Sequence, residues 1–195
     1  IILVTVDAFR WDRTSFSGYR RNTTPRLQRR IHNVALFRRA YAPSISTRQS
    51  MSAMFTGILP SLLNPPGGPK WGMTFAPEQE PLPTFLEAAG YETTAVVSDK
   101  PAFSKKHGAL KGFQEVDTSP SSFHKKKRYS AGFKVDRIME ALKEPHEGGR
   151  PRFVWTHLRE MHWPYLSGPV GQKFGKGNTN LFDAAMLYVD GELDR

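Results

Sequence analysis

Ile1-Ile2-Leu3-Val4-Thr5-Val6 runs straight into Asp7. Six apolar or β-branched residues in a row, with no polar alternation, predict a short strand buried on both faces of a parallel sheet. The acid that ends the run falls where open α/β sheets build their sites, outside the carboxyl ends of strands. Two more segments read as strands, Thr93 to Val97 and Phe153 to Leu158. Helical patterns lie between them. Thr24-Pro25 predicts a helix start, with Thr24 as N-cap and Leu27 and Ile31 on one face. A second helix is predicted from Thr47 to Phe55, with Met51, Met54 and Phe55 buried and Gly57 as its stop. Pro83 to Ala89 and Phe133 to Leu142 are further helices, the latter with Val135, Ile138, Met139 and Leu142 on one side. Strand–helix alternation predicts an α/β fold with a mostly parallel, doubly wound sheet between helices.

The rest reads as connections. Residues 60–81 are rich in Pro and Gly and predict a long loop, 99–130 are irregular and basic, and Glu147-Gly148-Gly149 is a turn. A Gly-rich loop from Gly168 to Gly177 precedes Leu181 to Arg195, which reads as a helix cut short. The first strand has no leader before it, so both ends read as cuts. The single expected domain, 1–195, is then the N-terminal portion of a larger catalytic domain whose C-terminal part is missing.

The 195 residues carry 28 Lys and Arg against 18 Asp and Glu, a net charge of +10. Most of that excess reads as solvation. The sharper alternative is attraction for anions: phosphate or sulfate esters, lipid headgroups or nucleic acid. Nucleic acid rests only on the dense run His124 to Arg128. With no cysteine, disulfides and thiolate metal sites are excluded. No stretch reaches the ~20 apolar residues of a membrane span.

Three segments carry the chemistry. The first is Val4-Thr5-Val6-Asp7-Ala8-Phe9-Arg10-Trp11-Asp12, continued by Ser17-Gly18-Tyr19 and Thr24-Pro25-Arg26-Leu27. The second runs from Tyr41-Ala42-Pro43-Ser44-Ile45-Ser46-Thr47-Arg48 to Thr56-Gly57. The third is His157-Leu158-Arg159-Glu160-Met161-His162-Trp163-Pro164-Tyr165. In this order they resemble the N-terminal half of the sulfatase-like branch of the alkaline phosphatase superfamily. That resemblance implies metal-dependent hydrolysis or transfer of a sulfate or phosphate ester. It also implies a divalent cofactor, zinc first, with manganese or calcium in related branches. It favours an extracytoplasmic or membrane-associated setting and a small anionic ester or lipid-headgroup substrate. A non-catalytic polyanion-binding module that kept the fold is the alternative.

By the same resemblance, Asp7 is a metal ligand. Alone, it would read as an acid capping a turn or pairing with Arg10. Many sulfatases have two adjacent acids here; Asp7-Ala8 has one. Thr47 is the implied nucleophile and metal contact. Its distance to Thr56-Gly57 matches the nucleophile in sulfatases, nucleotide pyrophosphatases and phosphoethanolamine transferases, and Ser50 follows it by three. A hydroxyl at a helix start lies beside N–H donors and the positive dipole end, which favour an oxyanion. The bland reading of Thr47 is an N-cap, and Ser44 competes if Arg48 is aligned instead. His162 is implied to contact the ester anion or a second metal, with Arg48 and Lys100 as further anion contacts. His157 reads as a satisfied core histidine. The remaining metal ligands, an Asp-His pair among them, are expected beyond Arg195. Asp7, Thr47 and His162 are expected to meet at one end of the sheet.

Overall fold

The computed structural model describes residues 1–63, 79–98, 103, 110–120, 130–143 and 147–195. Four strands form one sheet in the order β1-β4-β2-β3: β1 is Ile2–Val6, β2 Glu92–Val96, β3 Glu115–Asp117 and β4 Arg152–Leu158. β2 runs parallel to β3, with Thr94 opposite Glu115, and parallel to β4, with Ala95 opposite Trp155. β1 and β4 are parallel as well. Val154 N–H donates to the Ile1 carbonyl at 2.9 Å, and Asp7 N–H to the Leu158 carbonyl at 2.8 Å. The expected parallel α/β fold is the observed one. β3 lies in the stretch read as irregular; three residues are too few for a periodic signal.

Among the described residues the α-helices are α1 Pro25–Arg30, α2 Thr47–Thr56, α3 Pro60–Leu63, α4 Leu82–Ala88, α5 Ala131–Lys143 and α6 Asn178–Leu193. α3 is a single turn inside the segment expected to be loop. In α2 the buried residues are Ser50, Ser52, Ala53 and Phe55. Met51 is partly buried against the core, as expected, whereas Met54 is exposed and Ser50, Ser52 and Ala53 share the buried face with Phe55. In α5, Met139 is exposed, while Ala131, Lys134 and Ile138 are buried. Gly57 closes α2 with φ at 70°, a left-handed cap that costs glycine nothing.

The chain divides into two compact units. The first holds Ile1–Leu3, Arg39–Ser121 and Glu144–Thr156. Its core gathers Phe55, Phe103, Phe113 and Phe153 around Trp155, which is fully buried. Phe55 meets Trp155 edge-on at 4.9 Å, and Phe113 stacks on it at 5.7 Å. Such ring pairs add to the burial of area itself. Gly112 comes so close to Thr84 that a Cβ would lie 2.5 Å from its backbone nitrogen, which leaves room for glycine alone.

The second unit holds Val4–Arg38, Ser122–Lys143 and His157–Arg195. α6 runs through its core: Ala184, Ala185, Met186, Tyr188 and Val189 are buried. So are two acids of that helix, Asp183 and Asp190. Thr24 does sit at the N-cap of α1, but its side chain does not cap the helix. Its hydroxyl accepts the Ser15 N–H at 2.9 Å, and its own N–H donates to the Ser15 hydroxyl at 2.8 Å. Asp190 does the capping from α6, accepting the N–H groups of Arg26 at 3.0 Å and Leu27 at 2.9 Å. Burial pushes the Asp190 carboxyl up from its ordinary range, and these two donors offset part of that cost.

Asp190→Ala in the full-length protein removes both acceptors from the first turn of α1. The expected loss is about 2 kcal/mol, the upper range for a helix cap. Asp190→Asn, which keeps one acceptor, should lose less. Urea denaturation monitored by circular dichroism checks both, and a loss within ~0.5 kcal/mol for the alanine variant, as at an ordinary surface position, would refute the cap.

Candidate active site

β1 delivers Asp7 to the point where the sheet ends. Its N–H closes the last ladder bond with Leu158, and the chain turns at once through Ala8, whose φ is 55°. Tyr165, at the far side of the turn after β4, has φ at 60°. Non-glycine residues in this region cost about 1 kcal/mol each. Both therefore mark turns that packing forces at the two strand ends.

Three cationic or titratable side chains of the second unit bear on the Asp7 carboxylate. His157 Nε2 stands 3.7 Å from Asp7 Oδ2, and Arg159 Nε stands 3.8 Å from the same oxygen. Burial opposes ionisation of Asp7. The His157 imidazole outweighs it together with His162 and Arg159, holding the carboxyl below its usual range. His157 is itself pushed down by burial, against the pull of Asp7. Near neutral pH the constant cation beside Asp7 is thus Arg159. Arg10, the partner weighed for Asp7 from sequence, instead forks onto Asp12 at 2.9 and 2.6 Å.

His157 is buried, as expected of a core histidine: it is 2% exposed, and its Nδ1 lies 2.8 Å from the Thr5 hydroxyl. It also faces Asp7, which the core reading did not contain. Lys134, fully buried on α5, donates to the His157 carbonyl at 2.5 Å.

His162 is exposed on the turn after β4. Its Nδ1 lies 2.9 Å from the Trp163 carbonyl. A carbonyl can only accept, so Nδ1 is the donor of this bond. Glu160, 1% exposed, pins this turn. It accepts the Ser130 N–H at 2.9 Å and the Arg159 N–H at 3.0 Å, and its own carbonyl accepts the Leu166 N–H at 2.8 Å.

Thr47 and Arg48 belong to the first unit, whereas Asp7, His157, Arg159 and His162 belong to the second. Thr47 is the first residue of α2 and Ser46 is the N-cap, so Thr47 is not the capping residue. Both Thr47 and Arg48 are half-buried. Ser44 is tied into the turn before α2. Its hydroxyl donates to Gln49 Oε1 at 2.5 Å and accepts the Ser46 N–H at 3.1 Å, while its carbonyl accepts the Ser50 hydroxyl at 2.7 Å. Lys100 and the basic run His124 to Arg128 lie outside the described residues.

Arg159 and Glu160 went unassigned in the sequence although both lie within the third motif. Strand alternation places 157 and 159 alike, which was the available signal. As for a metal, no group of three or more His, Cys, Asp or Glu among the described residues is placed to hold one. A carboxylate at a strand end fits one hard ligand of a divalent cation.

The sulfatase family model matches residues 1–195. A search of curated protein sequences finds no match. Among solved structures, the chain is similar to the soluble domain of lipooligosaccharide phosphoethanolamine transferase A from Neisseria meningitidis. The TM-score is 0.76 at 20% identity, over 99% of this chain and 59% of that one. It is similar to the C-terminal periplasmic domain of EptC from Escherichia coli in complex with zinc, with a TM-score of 0.71 at 19% identity over 99% and 57%. It is also similar to the lipoteichoic acid synthase LtaP from Listeria monocytogenes, at 0.74 and 14% over 100% and 50%. The chain spans between half and three fifths of the length of these structures. With a family match from its first residue to its last, the chain belongs to the sulfatase family.

Proposed function

We propose that residues 1–195 are the N-terminal portion of a catalytic domain that cleaves or transfers a phosphate or sulfate ester through a covalent intermediate on Thr47. The observation that carries this reading is the ionised Asp7 carboxylate at the end of β1, with His157, Arg159 and His162 bearing on it, inside a full-length family match. Thr47 Oγ attacks the phosphorus or sulfur, the ester's alkoxide leaves, and water or an acceptor hydroxyl later takes the group from Thr47. What supports Thr47 over Ser44 is that the Ser44 hydroxyl is already committed to Gln49 and Ser46. Arg48 neighbours Thr47 in the first turn of α2 and is the proposed contact for the ester oxygens.

Asp7 would supply one ligand to a divalent ion, which lowers the pKa of a bound hydroxyl and offsets charge on the ester. Zinc is the first choice, because the EptC relative was solved in complex with it. Arg159 and His157 keep Asp7 ionised for that task, and the pinned turn of Glu160 presents His162 Nε2 to the transferred group. The proposed substrate is a phosphate ester of a lipid headgroup, met outside the cytoplasm; similarity to a periplasmic domain and to an integral membrane lipooligosaccharide phosphoethanolamine transferase supports this reading. Among the described residues no helix is long and apolar enough to cross a membrane.

Three substitutions in the full-length protein test the assignment. Thr47→Ala should lower turnover by roughly three orders of magnitude or more, as for loss of a covalent nucleophile, while Ser44→Ala stays mild. Intact-mass analysis with a slow substrate should find the adduct on the Thr47 peptide; an adduct on Ser44 would transfer the role there. Asp7→Asn should reduce metal content by elemental analysis, and unchanged stoichiometry removes Asp7 from the ligands. His162→Ala should cut turnover far more than thermal stability, and equal activity takes it out of the site.

A further inference from the structure

A cavity of about 490 Å³ opens beside His162 and the Ala8 turn. Phe9, Trp163 and Phe182 make apolar walls, and Arg13 and Asn178 add polar ones. The cavity lies wholly within the second unit. It begins one residue past Asp7 and shares His162 with the candidate residues of that unit.

Arg13 is held on this wall by a buried network. Asp183 on α6 is fully buried and accepts from Arg21 at 2.7 Å, from Arg13 at 3.3 Å and from the Tyr19 hydroxyl at 2.8 Å. Arg13 also donates to the Tyr19 hydroxyl at 2.5 Å, and its guanidinium lies 4.9 Å from the centre of that ring. Arg21 lies over Phe174 at 5.4 Å. Two guanidinium groups thus share one carboxylate. Arg10, the other arginine on the wall, is neutralised by Asp12. Among the described residues the network is left with one positive charge in excess, and Arg13 brings it to the cavity. A fixed, partly desolvated guanidinium recognises an oxyanion at low entropic cost, since its fork is already oriented.

We infer that this cavity receives a second, non-reacting anionic group of the substrate, on a ring-sized body seated between the aromatic walls, and that Arg13 determines specificity for it. The inference rests on the reading of Asp7 and His162 as the reacting end. It predicts a substrate with two anionic groups. Asp183 and Tyr19 act through Arg13 as positioning residues.

Calorimetry on the full-length protein carrying Thr47→Ala tests this without turnover. The probes are inorganic phosphate, glucose 1-phosphate and glucose 1,6-bisphosphate. The bisphosphate should bind about 10- to 100-fold tighter than the monophosphate, the range for a charge-assisted hydrogen bond. Arg13→Met, added to that protein, should erase the advantage while leaving monophosphate affinity in place. Equal affinity for the two sugar phosphates overturns the inference, as does an advantage that survives in folded Arg13→Met. Should Arg13→Met fail to fold, the indole N–H resonance of Trp163, assigned with Trp163→Phe, replaces it as the readout. A shift with bisphosphate that monophosphate does not produce supports the cavity, and its absence overturns it. Failure of the nucleophile assignment shows separately, as full turnover in Thr47→Ala.

Discussion

Taking a carboxylate out of water is costly unless partners meet it, and this constraint organises the second unit. α6 buries two acids seven residues apart, Asp183 and Asp190, in a helix otherwise lined with Ala, Met, Tyr and Val. Each must collect donors. Asp183 collects Arg13, Tyr19 and Arg21; Asp190 collects the first-turn N–H groups of α1. The segment between β1 and α1 has little regular structure of its own, only two short 3₁₀ turns at Trp11–Arg13 and Ser15–Ser17. Its path is set by these two anchors. The Ala8–Arg13 wall of the cavity is therefore held from α6, more than 160 residues later in the chain.

A third buried acid plays the same part on the other side of the candidate site. Glu160 gathers Ser130, its own neighbour's N–H and, through its carbonyl, Leu166, and so shapes the turn that carries His162. Asp7 differs from these three. It is only partly exposed, and His157 Nε2 and Arg159 Nε stand 3.7 and 3.8 Å from its Oδ2.

The first unit is organised by packing. Trp155 on β4 is enclosed by Phe55 of α2, Phe103 and Phe113. These contacts fix α2 against the strands of its own unit, and with it the first turn that presents Thr47. The Ser44–Gln49 and Ser44–Ser50 bonds then define how the chain enters that helix. A serine-rich approach that reads as a plain turn is tied by side-chain hydrogen bonds to the helix it enters, although Ser46 itself makes no side-chain cap.

Local chemistry determined a good deal of this protein from sequence alone. An uninterrupted β-branched run ending in Asp7 reads as a strand, but not as one buried on both faces: β1 ends the sheet order of the described residues, with Ile1 and Ile2 exposed and Leu3 to Val6 half-buried. Pro25 and Gly57 bracket their helices because φ is restricted in one and permissive in the other. The order of the three motifs carried the family. What sequence could not decide depends on partners distant along the chain. Thr24 occupies the N-cap, yet Asp190 performs the capping. His157 carries the pattern of a core residue, yet faces Asp7. Arg13 resembles any other arginine in a basic chain until Asp183 is buried beneath it. Met54 and Met139 fit the apolar periodicity but stay exposed, because Ser50, Ser52 and Ala53 in α2 and Lys134 in α5 take the inner face. Periodicity records which side chains are apolar. Which carboxylate meets which donor is a matter of desolvation and geometry, and only the packed tertiary structure settles it.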